Sequence, residues 1–532
     1  MKTNFKPLGL VAAVAAASAG YAGVVNAQAT VAAETELGDL AIVPYYTVMD
    51  GYSTGVNIIN SSADTQVLKF RFRRAVDSMD ALDFNVVLSP YDMYTGFIGK
   101  GAGDKIFWTS NDNSCVAPAY GNLTAADNQF ELPIIYSIGA ETGYIEVISM
   151  GSPLTETFPI AVAAKHDSDG VPADCARVRD NFFANAGDPT SKGVVTSAFT
   201  NQQGVDADTG AVLSTVVNNF YRPSSDSLKV SYFIKSDETG VEFGDNAVHI
   251  AQFMDTPAMT NQQTGIFSED FQGFDYPDLN GGSPLDAITG VGFSRGKFRD
   301  LRQILASTGL INDWSENTVE ALGATVDTDW VVTFPGQYTM LNLGAYLQLG
   351  GISGEAPDCL RTDDTDDAND DSGAAPGDSD YLLPCDTRDI PVSAKFFVYD
   401  REEQFITPEE GDLVVSPSPP VDIVEYALKD EVNVIQWGTS PVLNAPRNVS
   451  VPKPEGAKFG WALLTMESAD TDVGICDLDF AAEGFVCDGD GVEADQIPVV
   501  GFAAWQRAFA ANPGSNYGRI VEHSRNQASS SR

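Results

Sequence analysis

Ser294 sits in the stretch Gly292-Phe293-Ser294-Arg295-Gly296, a G-x-S-x-G pattern, and His523 follows far downstream. That is the chain order in which an α/β-hydrolase carries its nucleophile and its base. On this reading Ser294 attacks a carbonyl, His523 takes its proton, and an aspartate orients the imidazole. The pattern also needs a sharp strand-to-helix turn over a parallel sheet. In a chain with 48 glycines the same spacing arises by coincidence. Ser294 and His523 therefore stand as an alternative, and no catalytic residue is assigned outright.

Oxygen ligands give a second candidate chemistry. Asp367, Asn369 and Asp371 occupy the first, third and fifth places of a calcium-loop spacing, with Asp378 at the twelfth. Donors so spaced can wrap a cation that takes six to eight oxygens at about 2.3–2.6 Å. Ser372 replaces the glycine of the tight turn, and Asp378 replaces the longer bidentate glutamate. A second acidic group surrounds Cys487, with Asp488, Asp490, Glu493 and Asp495 on one side and Asp477 and Asp479 on the other. Calcium is thus the one cofactor the sequence suggests, and no motif requires it. Paired carboxylates for glycoside cleavage carry no weight from abundance alone. Tyr45, Tyr46, Tyr91, Tyr94, Trp437, Trp461 and Trp505 could line a groove for sugars or apolar ligands, although tryptophans in strands usually serve the core. His166 and His249 lack partner motifs and are expected to be structural.

What must position these residues is an exported chain. Lys2 and Lys6 precede an apolar, alanine-rich run and small-x-small cleavage sites, which predicts a signal peptide over residues 1–27. That run is shorter than the ~20 residues needed to span a bilayer. The formal charge is −43, from 31 basic and 74 acidic residues, and loss of Lys2 and Lys6 takes it to −45. Such a surface repels nucleic acid and anionic lipid and favours cations. The chain has six cysteines and no CxxC; with export this predicts three disulfides rather than zinc, and position favours Cys115–Cys175, Cys359–Cys385 and Cys476–Cys487.

Period-two alternation identifies the elements. In "QVLKFRFRRAVDSMDALDFNVVLSP", Leu68, Phe70 and Phe72 alternate with Lys69, Arg71 and Arg73, and after a turn near Asp77–Asp80 the apolar set resumes at Leu82, Phe84 and Val86. This predicts a hairpin with one buried face, its basic row on the solvent side and paired across the strands with acids such as Asp83. Further strands are expected from Leu40, Ser53, Thr142, Leu228, Thr328, Ala394, Glu431 and Phe459. Helices are expected from Pro172 and from Gly296 to Gly309, each packing on a sheet. The expected fold is mainly β: an antiparallel β-sandwich, as one large or two packed sandwiches, with a few short helices and long loops. Residues 36–352 form a sandwich domain, 353–390 an acidic insertion closed by a disulfide, and 391–520 a second sandwich or the closing strands of the first.

Several stretches occur together: "GDLAIVPYYTV", "ALDFNVVLSPYDMYTGFI", "NDNSCVAP", "VPADC", "TDWVVTFP", "IPVVGFAAW" and "NYGRIVEH". As a set this resembles a group of uncharacterised exported surface proteins of proteobacteria. The resemblance covers most of the chain after the signal and implies export from a Gram-negative cell, with cysteine positions shared at Cys115 and Cys175. It implies no activity. The Asp-rich segment Asp358–Asp389 lies outside it.

The expectation is an exported, non-catalytic surface or extracellular-matrix protein with a structural, adhesive or assembly role. Its location is extracellular or on the outer cell surface, with the periplasm as an alternative. Its candidate partners are itself, other surface components and divalent cations. A secreted serine hydrolase and a carbohydrate- or hydrophobic-ligand-binding protein are the alternatives.

Overall fold

The computed structural model describes residues 31–32, 36–76, 78, 80–120, 128–132, 137–179, 181–182, 220–254, 257, 277–279, 301, 304–336, 392–402, 425–469, 476–479, 484–487, 492–493 and 497–526. The expected signal, Ser294, the calcium-loop residues, Cys359 and Cys385 lie outside them. The described chain is mainly β, in antiparallel sheets stacked as a sandwich. Among the described residues the pairings are antiparallel apart from a two-residue parallel contact of Ile435–Gln436 with Val449–Ser450.

The predicted hairpin is present as strand Gln66–Arg74 against Asp80–Leu88, with Phe70 opposite Phe84 and Arg71 opposite Asp83. It lies in an eight-stranded sheet whose centre runs through Leu40–Thr47, Thr142–Pro153, Gln66–Arg74 and Asp80–Leu88. The apolar face meets a six-stranded sheet built on Leu228–Ser236, Tyr52–Asn60, Met93–Lys100 and Ile106–Thr109. Aromatic rings fill the gap: Phe70 lies 5.0 Å from Trp108, and Phe84 lies 5.0 Å from Phe130, between centroids. Rings meeting edge-on or tilted at such distances add to the area they bury.

The second face of the hairpin corrects the sequence reading. Lys69, Arg71 and Arg73 are 0% exposed, although solvent was expected there. Strand Gln66–Arg74 is central, with Thr142–Pro153 on one side and Asp80–Leu88 on the other. Glu146, Arg71 and Asp83 therefore form one row across three strands. Lys69 Nζ is 2.5 Å from Asp83, Arg71 Nε 3.3 Å from Asp80, Arg73 Nη1 2.8 Å from Asp80, and Arg73 Nε 3.2 Å from Glu146. The expected cross-strand pairing exists, but it is what makes burial of the charges tolerable, since a buried ion needs a partner.

Further along this face, Val67, Val87 and Met150 pack against Ile160 and Ala164 of helix Pro159–Ala164 and Val178 of helix Cys175–Arg179. The disulfide Cys115–Cys175 ties that second helix to strand Cys115–Ala117 across 60 residues of sequence. Helix Cys175–Arg179 lies in the stretch expected from Pro172 and packs on the sheet as expected. Helix Pro159–Ala164 was not expected, and part of the helix expected from Gly296 to Gly309 lies outside the described residues. Cys476 and Cys487 face each other in register across a two-stranded ribbon.

The remaining strands form an eleven-stranded sheet that turns at one strand. Gly309–Val319 pairs with Phe459–Ala469 through its first half, Gly309 to Ser315, and with Ala324–Thr333 through its last residues, Glu316 to Val319. Ala324–Thr333 in turn carries Val500–Phe509 along its full length, and Val500–Phe509 carries Tyr517–Glu522. One hydrophobic cluster runs from Leu40 to Ala504 through all three large sheets.

Asp329 stitches this sheet to a loop. Its Oδ2 accepts the Val442 N–H at 2.8 Å and the Leu443 N–H at 2.9 Å. Burial pushes its carboxyl up to about 7, against the lowering effect of those two hydrogen bonds. A folded-state pKa above the unfolded value near 3.9 means that the folded chain holds the proton more tightly. The contribution is therefore full below about pH 4 and is lost as pH rises through about 7. Asp329→Asn keeps an acceptor without the charge. Unfolding in urea at several pH values should show the wild type losing stability relative to this variant from about pH 4 to 7. A pH-independent difference would remove Asp329 from the account.

Candidate anion-binding cleft

Six triplets in the chain place an aromatic residue two positions before an arginine, and three of them matter here: Tyr399-Asp400-Arg401, Trp505-Gln506-Arg507 and Tyr517-Gly518-Arg519. In a strand, residues i and i+2 share a face. Strand register then brings the triplets together. Trp505 lies directly opposite Arg519, and Arg507 opposite Tyr517. Trp461 lies between Tyr399 and Asp313 in another three-strand row.

The turn of strand Gly309–Val319 opens a cleft of about 470 Å³ between these rows. It is lined by Trp461, Phe459, Trp505, Arg401, Arg507 and Arg519, with Asp313 and Trp314 on the turning strand. The arginines lie on ring faces. The Arg401 guanidinium is 4.2 Å from the Phe459 centroid, and that of Arg519 is 4.7 Å from Trp505. Arg507 is 5.7 Å from Trp505 and 5.8 Å from Tyr517. Stacking orients a guanidinium while leaving its edge N–H donors for a planar acceptor. Trp461 stacks on Tyr399 at 4.4 Å and 12°, yet remains 42% exposed. One indole face is spent on Tyr399, and the other is open.

Counter-ions are scarce here. Arg519 Nη2 stands 3.8 Å from Asp313, an exposed pair. Among the described residues Arg401 and Arg507 have no carboxylate partner, and the buried Nε of Arg507 has no hydrogen-bond acceptor. In a chain of 74 acids and 31 bases, this is the opposite of what random pairing would leave. The arrangement can accept carboxylates through bidentate hydrogen bonds and hold a flat apolar surface against indole.

Compared with known proteins, the chain matches no family model, no curated protein and no solved structure. The site is thus read on its own chemistry.

The other expected candidates fall elsewhere. Of the seven aromatic residues proposed as platforms, Tyr45, Tyr46, Tyr94 and Trp437 are core. Tyr91 is exposed outside the cleft, and Trp461 and Trp505 line it. His523 is buried against Trp330, 5.0 Å between rings. Its Nδ1 accepts from the Asn312 amide at 3.0 Å, and its Nε2 donates to the Val331 carbonyl at 3.0 Å. Burial pushes its pKa down to about 4, so the ring is neutral, with both nitrogens committed to the interior. His249 is likewise lowered to about 4 by burial and accepts the Val230 N–H. Among the described residues no three His, Cys, Asp or Glu side chains group as a metal site. No described helix is long and apolar enough to cross a membrane.

A second cavity, also of about 470 Å³, holds Glu316 and Asp327, directly opposed in register. Burial raises Asp327 to about 6. Burial also opposes ionisation of Glu316, but its contact with Lys453 prevails and holds it below the usual range. Split carboxylates suit acid–base chemistry. Here, however, the Glu316 oxygens are taken by Lys453 and the Thr439 N–H, and Asp327 Oδ1 lies where a Cβ on Gly438 would come within 2.9 Å. The pair is built into the loop that covers it.

Arg401, Arg507, Arg519, Phe459 and Tyr517 are the residues that sequence reading missed, whereas Trp461 and Trp505 are among the expected platforms. The one sequence signal at those arginines is the aromatic-x-Arg spacing, which also occurs at Phe72–Arg74, Phe220–Arg222 and Phe293–Arg295 and does not by itself single them out.

Proposed function

We propose that this is an exported, non-catalytic surface or extracellular-matrix protein whose adhesive or assembly role runs through the arginine–tryptophan cleft. The single observation that carries this reading is the convergence of Arg401, Arg507 and Arg519, stacked on Phe459 and Trp505, beside the exposed Trp461 in a chain of formal charge −43. The guanidinium groups of Arg401 and Arg507, without a carboxylate partner among the described residues, are available to carboxylates of a partner molecule. A rigid sandwich holds them in place, so little ordering is needed on contact.

Export rests on the signal reading, and the disulfide Cys115–Cys175 is compatible with an oxidising compartment. Divalent cations complete the reading: a chain this acidic repels neighbours of its own kind, and calcium held by Asp367, Asn369, Asp371 and Asp378 would bridge carboxylates that otherwise oppose contact. Sedimentation in calcium against chelator tests that part, and identical coefficients would delete it.

The cleft is tested on a carboxylated dextran surface beside an uncharged one. Despite its net charge, the protein is expected to be retained by the carboxylated matrix, less so as salt rises. Arg507→Ala with Arg519→Ala should lower that retention by about tenfold or more, as loss of charge-assisted hydrogen bonds implies. Equal retention of the two proteins would contradict the proposal.

A further inference from the structure

We infer that the ligand class of this cleft is an acidic saccharide, a chain of sugar rings bearing carboxylates, which rests on the reading of the cleft as an anion site. The volume of about 470 Å³ falls within the roughly 300–1,000 Å³ range of small-ligand sites. Two chemistries meet inside it. Arg401, Arg507 and Arg519 ask for a planar anion, and Arg507 Nε is a buried donor with no acceptor among the described residues. Trp461, 42% exposed at the cleft, asks for something flat and apolar.

An acidic peptide answers only the first demand, since an aspartate side chain has no apolar face to lay on indole. A neutral sugar answers only the second. A nucleic acid offers both, but its phosphates are packed at about one charge per 1.7 Å of duplex axis, against a protein of formal charge −43 with Asp313 on the rim. A uronic acid places one carboxylate on each ring, with the axial C–H face beside it. Its carboxylate reaches the guanidinium edges while its ring covers the open face of Trp461, whose other face is backed by Tyr399 at 4.4 Å. Asp313, beside Arg519 at 3.8 Å, then accepts from sugar hydroxyls.

The test titrates the full chain by calorimetry and tryptophan fluorescence with four probes: an oligogalacturonate, a neutral oligosaccharide of equal length, poly-aspartate, and single-stranded oligothymidylate. The expected result is that oligogalacturonate binds at least about tenfold more tightly than the other three, with a change in tryptophan emission. Trp461→Ala should weaken that binding by about tenfold, the size expected when one stacking face is removed. Because Trp461 is 42% exposed, the variant should melt with the wild type, and the melt confirms that its fold is intact. If poly-aspartate or oligothymidylate binds as tightly as oligogalacturonate, the saccharide inference falls and the anion site stands. Equal binding of the neutral sugar, or binding unaffected by Arg507→Ala with Arg519→Ala, overturns the anion site itself. No binding of any probe overturns both.

Discussion

Arg73→Met is expected to lower the free energy of unfolding by about 3–5 kcal/mol, the range for breaking a buried ion cluster by removing one partner. Arg73 is 0% exposed, and it reaches Asp80 at 2.8 Å, Glu146 at 3.2 Å and the Ser78 carbonyl at 3.0 Å. Methionine would fill much of the space yet leave Asp80 and Glu146 facing each other with less positive charge between them. Their desolvation is already spent, so the loss is large, unlike that at an exposed pair such as Arg519 with Asp313. The same logic predicts partial recovery when Glu146→Gln is added, because the orphaned charge goes too. Urea unfolding of the single and double variants measures both effects. A loss under about 1 kcal/mol for Arg73→Met would mean that the cluster is solvated in solution.

Trp437→Ala is expected to cost about 3–5 kcal/mol as well, as other large aromatic truncations in cores do. Trp437 lies 5.8 Å from Trp314 at 16°, 5.0 Å from Trp330 and 6.1 Å from Phe396. These rings come from different strands, and a cavity in their midst cannot close without moving the sheet. Trp314 also lines the cleft, so binding should weaken together with stability. Denaturation followed by near-ultraviolet dichroism reads the core directly. Unchanged stability would place Trp437 outside the packed interior.

How far the fold was legible depends on the distance over which each residue finds its partner. The 66–88 hairpin was legible because both strands and their turn are local, and its register follows from alternation. What its basic face meets was not, because a lysine or arginine row reads alike whether it borders solvent or carboxylates. The deciding Glu146 stands 73 residues from Arg73. Strand Gly309–Val319 escaped notice for a related reason. It serves two neighbours in succession, and its asparagine, aspartate and serine residues look like a loop. The cleft was half legible. Trp461 and Trp505 are among the platforms the sequence names, but the aromatic-x-Arg spacing occurs six times in the chain and does not single out Arg401, Arg507 and Arg519. Trp505 and Arg507 meet Arg519 and Tyr517 in a local hairpin, Val500–Phe509 with Tyr517–Glu522. Their meeting with Trp461 and Arg401 depends on pairings between distant strands, Val392–Asp400 with Phe459–Ala469 and Gly309–Val319 with Phe459–Ala469.

Arginine footprinting tests the central claim most directly. The folded protein is treated with phenylglyoxal, with and without oligogalacturonate, and each arginine is mapped by peptide mass. Protection by the polyanion is expected at Arg401, Arg507 and Arg519, the guanidinium groups lining the cleft, while the exposed Arg447 reacts as before. Unchanged reactivity at those three, or protection spread evenly over every exposed arginine, would contradict the account.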